Sequence, residues 1–313
     1  MTDKTAPTQY VFGPVPSRRL GRSLGVDLVP RKVCTMDCVY CQVGRTTRKT
    51  IQRDRFVPTD EVLREVREKL AKGPQPDYIT LSGSGEPTLN ADLGKIVGAI
   101  KEMTDVPVAV LTNGSLLHKP DVRRDCARAD LVVPSLDAGD EETYRRVNRP
   151  EESLTFDKLV EGLAAFRQEY DGPMWLEIFL VRGVNSDETQ IDKIKSVLAR
   201  IHFERVQLNT AVRPTADPDV SALTEPELQA IAQRLGPDVE IIADFRGESY
   251  EQAFHAADED VLDMIRRRPV TLEDIAAGMG IHQAEAVKRV GSLLGLGRIT
   301  RDRRDGKDYY RAV

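Results

Sequence analysis

Six short apolar runs, rich in β-branched residues and each followed by a longer amphipathic stretch, constrain this 313-residue chain more than any other feature. Strands separated by a helix's length of chain pair in parallel, because a parallel return needs a crossover of a dozen or more residues. The runs lie at 24–29, 78–81, 106–111, 131–134, 174–181 and 205–208. Helical patterns follow at 60–72, 91–103, 155–170, 188–200 and 225–235, with Thr59, Asn90 and Asp187 placed as starting caps, and a run at 239–243 closes the body. The expected fold class is α/β: a partial (β/α)6 TIM-like barrel, whose active site gathers at the carboxyl ends of the strands.

Each predicted strand end carries its own polar segment. In order these are the stretch around Cys34, then residues 83–87, 112–114, 135–137, 182–185 and 209–214. The chain has only four cysteines, and Cys34, Cys38 and Cys41 stand together in a C-x3-C-x2-C spacing. Crowded thiols without a secretory leader point to metal rather than disulfides, since cytosolic thiols are kept reduced. A four-iron cluster normally takes four cysteines, so three leave one iron open to another ligand. Zinc, or no metal at all, is the alternative, although a structural zinc site takes four protein ligands. Cys126, alone in a helical pattern, reads as a small buried apolar residue.

The cysteine spacing, Tyr40 just before the last cysteine, and the loop's place after the first strand together resemble the radical S-adenosylmethionine superfamily. That resemblance implies a [4Fe-4S] cluster on Cys34, Cys38 and Cys41, its open iron chelated by the amino and carboxylate groups of S-adenosyl-L-methionine. It also implies reductive cleavage of the sulfonium to a 5′-deoxyadenosyl radical, with an electron donor such as flavodoxin or ferredoxin.

Residues 83–87 look like the superfamily's glycine-glutamate-proline motif, so that Gly83, Gly85 and Glu86 would receive the methionyl ammonium. Acceptors suit an ammonium, and glycines expose backbone carbonyls; the other reading is a glycine-proline turn. Thr112, Asn113, Ser135 and Asp137 stand where relatives contact the methionyl carboxylate and the ribose, or else cap following helices. Arg182 and Asn185 resemble positions that reach the carboxylate or adenosine, though Arg182 can equally pair with an acid.

Residues 13–26, 81–89, 135–138 and 148–150 narrow the resemblance to the bacterial and archaeal wyosine-synthetase-like group, over most of residues 10–215. True wyosine synthases carry a second cluster on further cysteines, and with only Cys126 left over this chain cannot build one.

Net charge is −5, but residues 18–55 hold ten lysines or arginines against three acids, a local +7 that leaves −12 elsewhere. Arg18, Arg19 and Arg22 before the first strand, and Arg45, Arg48 and Lys49 after the cysteine loop, are expected to rim the barrel mouth. A cationic rim concentrates anions, so the expected substrate is an anionic small molecule or RNA; scattered solvated arginines are the bland reading.

Residues 1–254 are expected to form the barrel and 258–313 a winged helix-turn-helix: helices at 260–267, 271–279 and 283–294, Gly280 in the turn, and a hairpin about Asp305 and Gly306. With eleven basic and ten acidic residues in 258–313, nucleic-acid binding there rests on local clusters, Lys288 and Arg289 on the third helix and Arg301, Arg303, Arg304 and Lys307 in the wing. A docking or dimerisation module, or one that captures a peptide substrate, is the other reading. Residues 1–9 lack the pattern of a secretory signal and no apolar run is long enough to span a bilayer, so a cytoplasmic protein without membrane partners is expected. An enzyme is the first expectation; a DNA-binding regulator with an iron-sulfur sensor is the second, but a sensor needs no motif at every strand end.

Overall fold

The structure, a computed structural model, describes residues 10–72, 75–212, 215–243, 258, 261–262, 264–265, 269–279, 281–304 and 307–313. The chain enters through an antiparallel pair, β1 (Val11–Ser17) and β2 (Gly21–Val26). Two short parallel strands, β3 (Val33–Cys34) and β4 (Arg48–Lys49), bracket the cysteine loop. There follow α1 (Thr59–Lys72), β5 (Tyr78–Leu81), α2 (Leu93–Met103), β6 (Val108–Thr112), α3 (Pro120–Cys126), β7 (Leu131–Pro134), α4 (Glu141–Val147) and α5 (Phe156–Glu169). The series closes with β8 (Trp175–Leu180), α6 (Glu188–Leu198), β9 (Arg205–Thr210), α7 (Glu225–Leu235) and β10 (Val239–Ile241).

β2, β5, β6 and β7 pair in parallel in that order, as do β8, β9 and β10. Parallel bridges Val132–Met174 and Ser135–Glu177 join β7 to β8, so seven parallel strands, the expected six and the closing run as β10, succeed one another with helices between them. This is the partial barrel. Helices cover it with residues at three- and four-residue spacing: Ile96, Val97 and Ile100 on α2, Leu159, Leu163 and Phe166 on α5, Ile191 and Ile194 on α6. Leu20, from the β1–β2 turn, packs with Ala109, Leu131 and Val133 in a separate apolar cluster.

Three departures from expectation have physical causes. β1 escapes the sequence pattern because Pro14 and Pro16 break it; proline is tolerated there because β1 is the edge strand of its sheet. α2 starts at Leu93 and is not capped by Asn90, whose Nδ2 donates to the Leu28 carbonyl (2.9 Å) and whose Oδ1 accepts the Asp92 N–H (2.8 Å). α3 and α4, seven residues each, are too short to show a period. Asp187 does cap α6, accepting the Gln190 N–H, and Thr155 caps α5 at the Lys158 N–H, whereas Thr59 is the first residue of α1 itself.

The chain divides into two compact units, the barrel running to Ile242 and a second built mainly from residues 243–313. The second contains helices Leu272–Met279 and Gln283–Gly295 and an antiparallel pair, Ile299–Arg304 with Lys307–Ala312. Val261, Ile265, Ile275, Val290, Leu293, Ile299 and Tyr310 form its core. The expected boundary near 254, most of the helix at 260–267, Gly280, and the turn at 305–306 lie outside the described residues. Among the described residues no helix is long and apolar enough to cross a membrane.

Candidate active site

Cys34 ends β3, and the loop that follows is clamped by the segment after α4. The N–H groups of Asp37 and Val39 donate to the carbonyls of Asn148 (3.0 Å) and Val147 (2.9 Å), and that of Glu151 to the Thr35 carbonyl (2.9 Å). Tight turns bring Cys41 N–H to the Cys38 carbonyl (3.1 Å) and Gly44 N–H to the Cys41 carbonyl (3.3 Å). All three cysteines are free of disulfides and partly buried. Burial, then the nearby Glu86 carboxylate, pushes the Cys34 thiol up to about 12; burial and then Asp137 push Cys38 up as well. Thiols so placed ionise when a cation offsets the penalty. Among the described residues no three His, Cys, Asp or Glu side chains converge on a single-ion position, which is what zinc requires. A four-iron cube offers each sulfur a different iron, so the donor set fits a cluster better than one ion.

The 83–87 loop is knitted to the cysteine loop. Lys32 N–H donates to the Ser84 carbonyl (2.8 Å), Glu86 N–H to the Val33 carbonyl (3.3 Å), and Ser84 N–H to Asp27 Oδ2 (3.0 Å). Only glycine fits there: a Cβ on Gly85 would stand 1.9 Å from the Val33 oxygen, and one on Gly83 2.5 Å from the Asp27 carboxyl carbon. Glu86 is 2% exposed, and burial raises its pKa although four donors oppose the shift. Its Oε1 accepts Thr88 N–H (3.0 Å), Thr88 Oγ1 (2.6 Å) and Thr112 Oγ1 (2.6 Å), while Oε2 accepts Asn113 N–H (2.8 Å). With one partner, Oε2 keeps capacity for a further donor.

Asn113 then reaches back to the cysteines, its Nδ2 donating to Thr35 Oγ1 (2.7 Å) and Cys34 Sγ (3.7 Å). Asp137, beyond β7, is 1% exposed and accepts from Tyr40 Oη, Asn148 Nδ2 (2.7 Å) and Phe179 N–H (2.8 Å). Burial nevertheless pushes its carboxyl up to about 6. Tyr40 lies flat on Phe179, ring centroids 3.9 Å apart. Ser135 is half-buried one residue past β7, in register with Glu177.

Two of the expected residues are placed differently. Arg182 is exposed and forks onto Glu227 and the Ala222 carbonyl. Asn185 is wholly buried and donates to the carbonyls of Asp137 (2.7 Å) and Phe179 (2.8 Å), bracing the Asp137 turn from behind. Conversely, Lys32, Thr35 and Asn148 belong to the site although the sequence reading assigned them no role there. Asn148 stands in the 148–150 segment that carries the narrower resemblance; Lys32 has no signal, since only the fold shows that it is 4% exposed with φ +61° and donates to Cys41 Sγ at 3.0 Å.

The basic rim is thinner than the residue count implied. Arg19 turns onto Glu177 (2.9 Å), Arg45 onto Asp37 (2.8 Å), Arg53 onto Asp121 and Asp125, and Arg55 onto Asp92 (3.2 Å). Arg22 pairs with Asp77, just before β5, at the end of the sheet away from the cysteines. Arg18 bonds Asn209 Oδ1 (3.0 Å). Lys49 is the register partner of Cys34, and Arg48 that of Val33; both are exposed.

A parallel barrel with a clamped cysteine triplet, and a buried carboxylate at the ends of two of its strands, defines an enzyme built to hold a metal-sulfur cluster and a polar cofactor at the strand ends. The family model described as the Radical SAM superfamily matches residues 28–192, just over half of the chain. The chain belongs to the radical S-adenosylmethionine superfamily, whose enzymes use a [4Fe-4S] cluster and S-adenosylmethionine. It is 33% identical over 309 residues to a UPF0026 protein of Methanocaldococcus jannaschii, covering 96% of this chain and 94% of that protein. It is 36% identical over 301 residues to a protein named GTPase Obg in Brachyspira hyodysenteriae; there the match covers 95% of this chain but only 44% of the relative's length. Among solved structures, TYW1 with a lysine-pyruvate adduct bound shares the fold at a TM-score of 0.54 and 20% identity, over 68% of this chain and 72% of that one.

Proposed function

We propose that this enzyme abstracts hydrogen from an anionic substrate held over the barrel mouth, with Cys34, Cys38 and Cys41 as cluster ligands. When bound, the cluster and S-adenosylmethionine supply a 5′-deoxyadenosyl radical. The chain's own residues bind and orient. Glu86 Oε2 has the capacity to accept the methionyl ammonium, and Gly83 and Gly85 let the loop pack against Asp27 and Val33, which holds that carboxylate in place. Asp137 would accept from the ribose, with Tyr40 and Asn148 fixing its carboxylate and Asn185 its backbone. Thr112 orients Glu86, Asn113 ties that carboxylate to the cysteine loop, and Ser135, one residue past β7, would offer its hydroxyl to the sugar. Arg182 holds the loop after β8 to α7 rather than meeting cofactor.

The observation that carries this reading is the continuous hydrogen-bonded path from Cys34 through Asn113 to Glu86, matched by one from Cys38 through Asn148 to Asp137. Arg48 and Lys49, paired in register with Val33 and Cys34, favour an anionic substrate, a nucleotide or RNA in particular. The second unit, read as a winged helix-turn-helix, would dock that substrate, and a flavodoxin- or ferredoxin-type protein would deliver the electron.

The test is anaerobic reconstitution and reduction, with 5′-deoxyadenosine measured by chromatography with and without nucleoside triphosphates or small RNAs. Stimulated formation that weakens with salt, and weakens further in Arg48→Ala, is expected. A fully loaded cluster that yields no 5′-deoxyadenosine refutes the enzyme reading; stimulation by neutral compounds alone refutes the anionic substrate.

A further inference from the structure

We propose that Lys32, Asn113 and Asn148 act as a ring of N–H donors, one to each cysteine sulfur, that sets the reduction potential of the cluster, with Lys32 its dominant member. The inference rests on the cluster assignment above and goes beyond it. Each thiol has its own donor from a different part of the chain. Asn113 Nδ2 points to Cys34 Sγ (3.7 Å), Asn148 Nδ2 to Cys38 Sγ (3.5 Å) and Lys32 Nζ to Cys41 Sγ (3.0 Å). Hydrogen bonds to cluster sulfurs are among the levers that move an iron-sulfur potential.

The orientations are determined by neighbours. Ser115 N–H donates to Asn113 Oδ1 at 3.0 Å, so the amide nitrogen must face Thr35 and Cys34. Turning the Asn148 amide over would set its oxygen against the Asp137 carboxylate and the Cys38 sulfur, both acceptors; as placed, Nδ2 serves both. Among the described residues its Oδ1 is buried without a partner, so the amide keeps its Nδ2 on Asp137 and Cys38 although its oxygen gains nothing there.

Lys32 differs in kind because it carries a full charge. Lysine is almost never buried unless paired, and Lys32 is 4% exposed. Its ammonium donates to Cys41 Sγ, while its backbone is bound to the 83–87 loop through Ser84 and to residues 47 and 48 through its carbonyl. The backbone therefore delivers the side chain to the sulfur; φ of +61°, unusual for a non-glycine residue, is accepted to do so. One-electron reduction by a low-potential donor adds one negative charge to the cluster and its thiolates, and no bond to the chain is made or broken. A fixed cation beside the sulfur stabilises that more negative state, so Lys32 raises the potential and its neutral replacement lowers it.

The full-length chain would be reconstituted anaerobically and titrated against redox mediators, the reduced cluster being read by electron paramagnetic resonance. In Lys32→Met the reduced-to-oxidised ratio at the wild-type midpoint should fall about tenfold or more, equivalent to about 59 mV for one electron. Lys32→Arg should restore most of the shift, and Asn148→Leu should lower the potential less. A Lys32→Met protein with wild-type iron content and an unmoved midpoint overturns the proposal. Should that variant lose its cluster, the wild type decides: with lysine side chains labelled in heavy nitrogen, pulsed resonance on the reduced cluster should show one nitrogen coupling, and its absence overturns the proposal equally. A wild type that binds no cluster would instead refute the function proposed above.

Discussion

Gly85 offers the sharpest test of how the strand ends are locked together. In Gly85→Ala the new Cβ would lie 1.9 Å from the Val33 carbonyl oxygen and 2.9 Å from its carbon, both backbone atoms, and 2.9 Å from Val29 Cγ2. Ordinary contact begins near 3.4 Å, so the end of β3, one residue from Cys34, must retreat about 1.5 Å. That movement breaks the bond from Glu86 N–H to the same carbonyl. Overpacking costs about 1–3 kcal/mol and the lost bond about 1 kcal/mol, a total of about 2–4 kcal/mol. With a urea dependence of about 2 kcal/mol per molar, the unfolding midpoint should drop by about 1–2 M. Iron per chain after reconstitution should fall with it, because Cys34 leaves register with Cys38 and Cys41. Gly98→Ala is the control: its Cβ meets only Arg128 Nη1, at 2.9 Å, the mobile end of a side chain, and alanine favours the helix by up to about 1 kcal/mol. A Gly85→Ala protein with wild-type iron and urea midpoint would refute the reasoning.

In Glu86→Gln either amide orientation sets an NH2 against existing donors, Thr88 and Thr112 or Asn113 N–H, so a loss of about 1–3 kcal/mol in urea unfolding is expected, together with weaker S-adenosylmethionine binding by equilibrium dialysis. Cys38→Ala should abolish the visible charge-transfer absorption, whereas Cys126→Ala, at a fully buried position in α3, should keep full iron content; equal retention by both would contradict the three-ligand assignment. Tyr40→Phe keeps the stack on Phe179 and should cost about 1 kcal/mol, and Tyr40→Ala about 3 kcal/mol, read from denaturation midpoints. Hydrogen bonds from Arg182 and then Thr224 hold Glu227 down at about 2 from an ordinary 4.5, so its contribution is present above pH 4.5 and lost as pH falls toward 2. Glu227→Gln should flatten stability across that window, and an unchanged acid limb would count against the pairing.

The parallel strands and the cysteine and glycine-glutamate-proline segments were legible because each is local: a run of apolar residues at strand spacing, thiols within one loop, glycines at a strand end. β1 was hidden by its own prolines, which only an edge position makes harmless. The charge count overstated the cationic rim because arginines close in sequence find acids far along the chain, as Arg53 does at Asp121 and Asp125 and Arg19 at Glu177.

Sequence alone thus determined the gathering of three cysteines in one loop and the order in which polar groups arrive at strand ends, since those depend on spacing along one strand or loop. Tertiary structure decided which way each side chain faces: Arg182 toward α7, Asn185 behind Asp137, Lys32 onto Cys41. Those choices are made between segments separated in the chain, where burial and competing partners set the direction and no local pattern records the outcome.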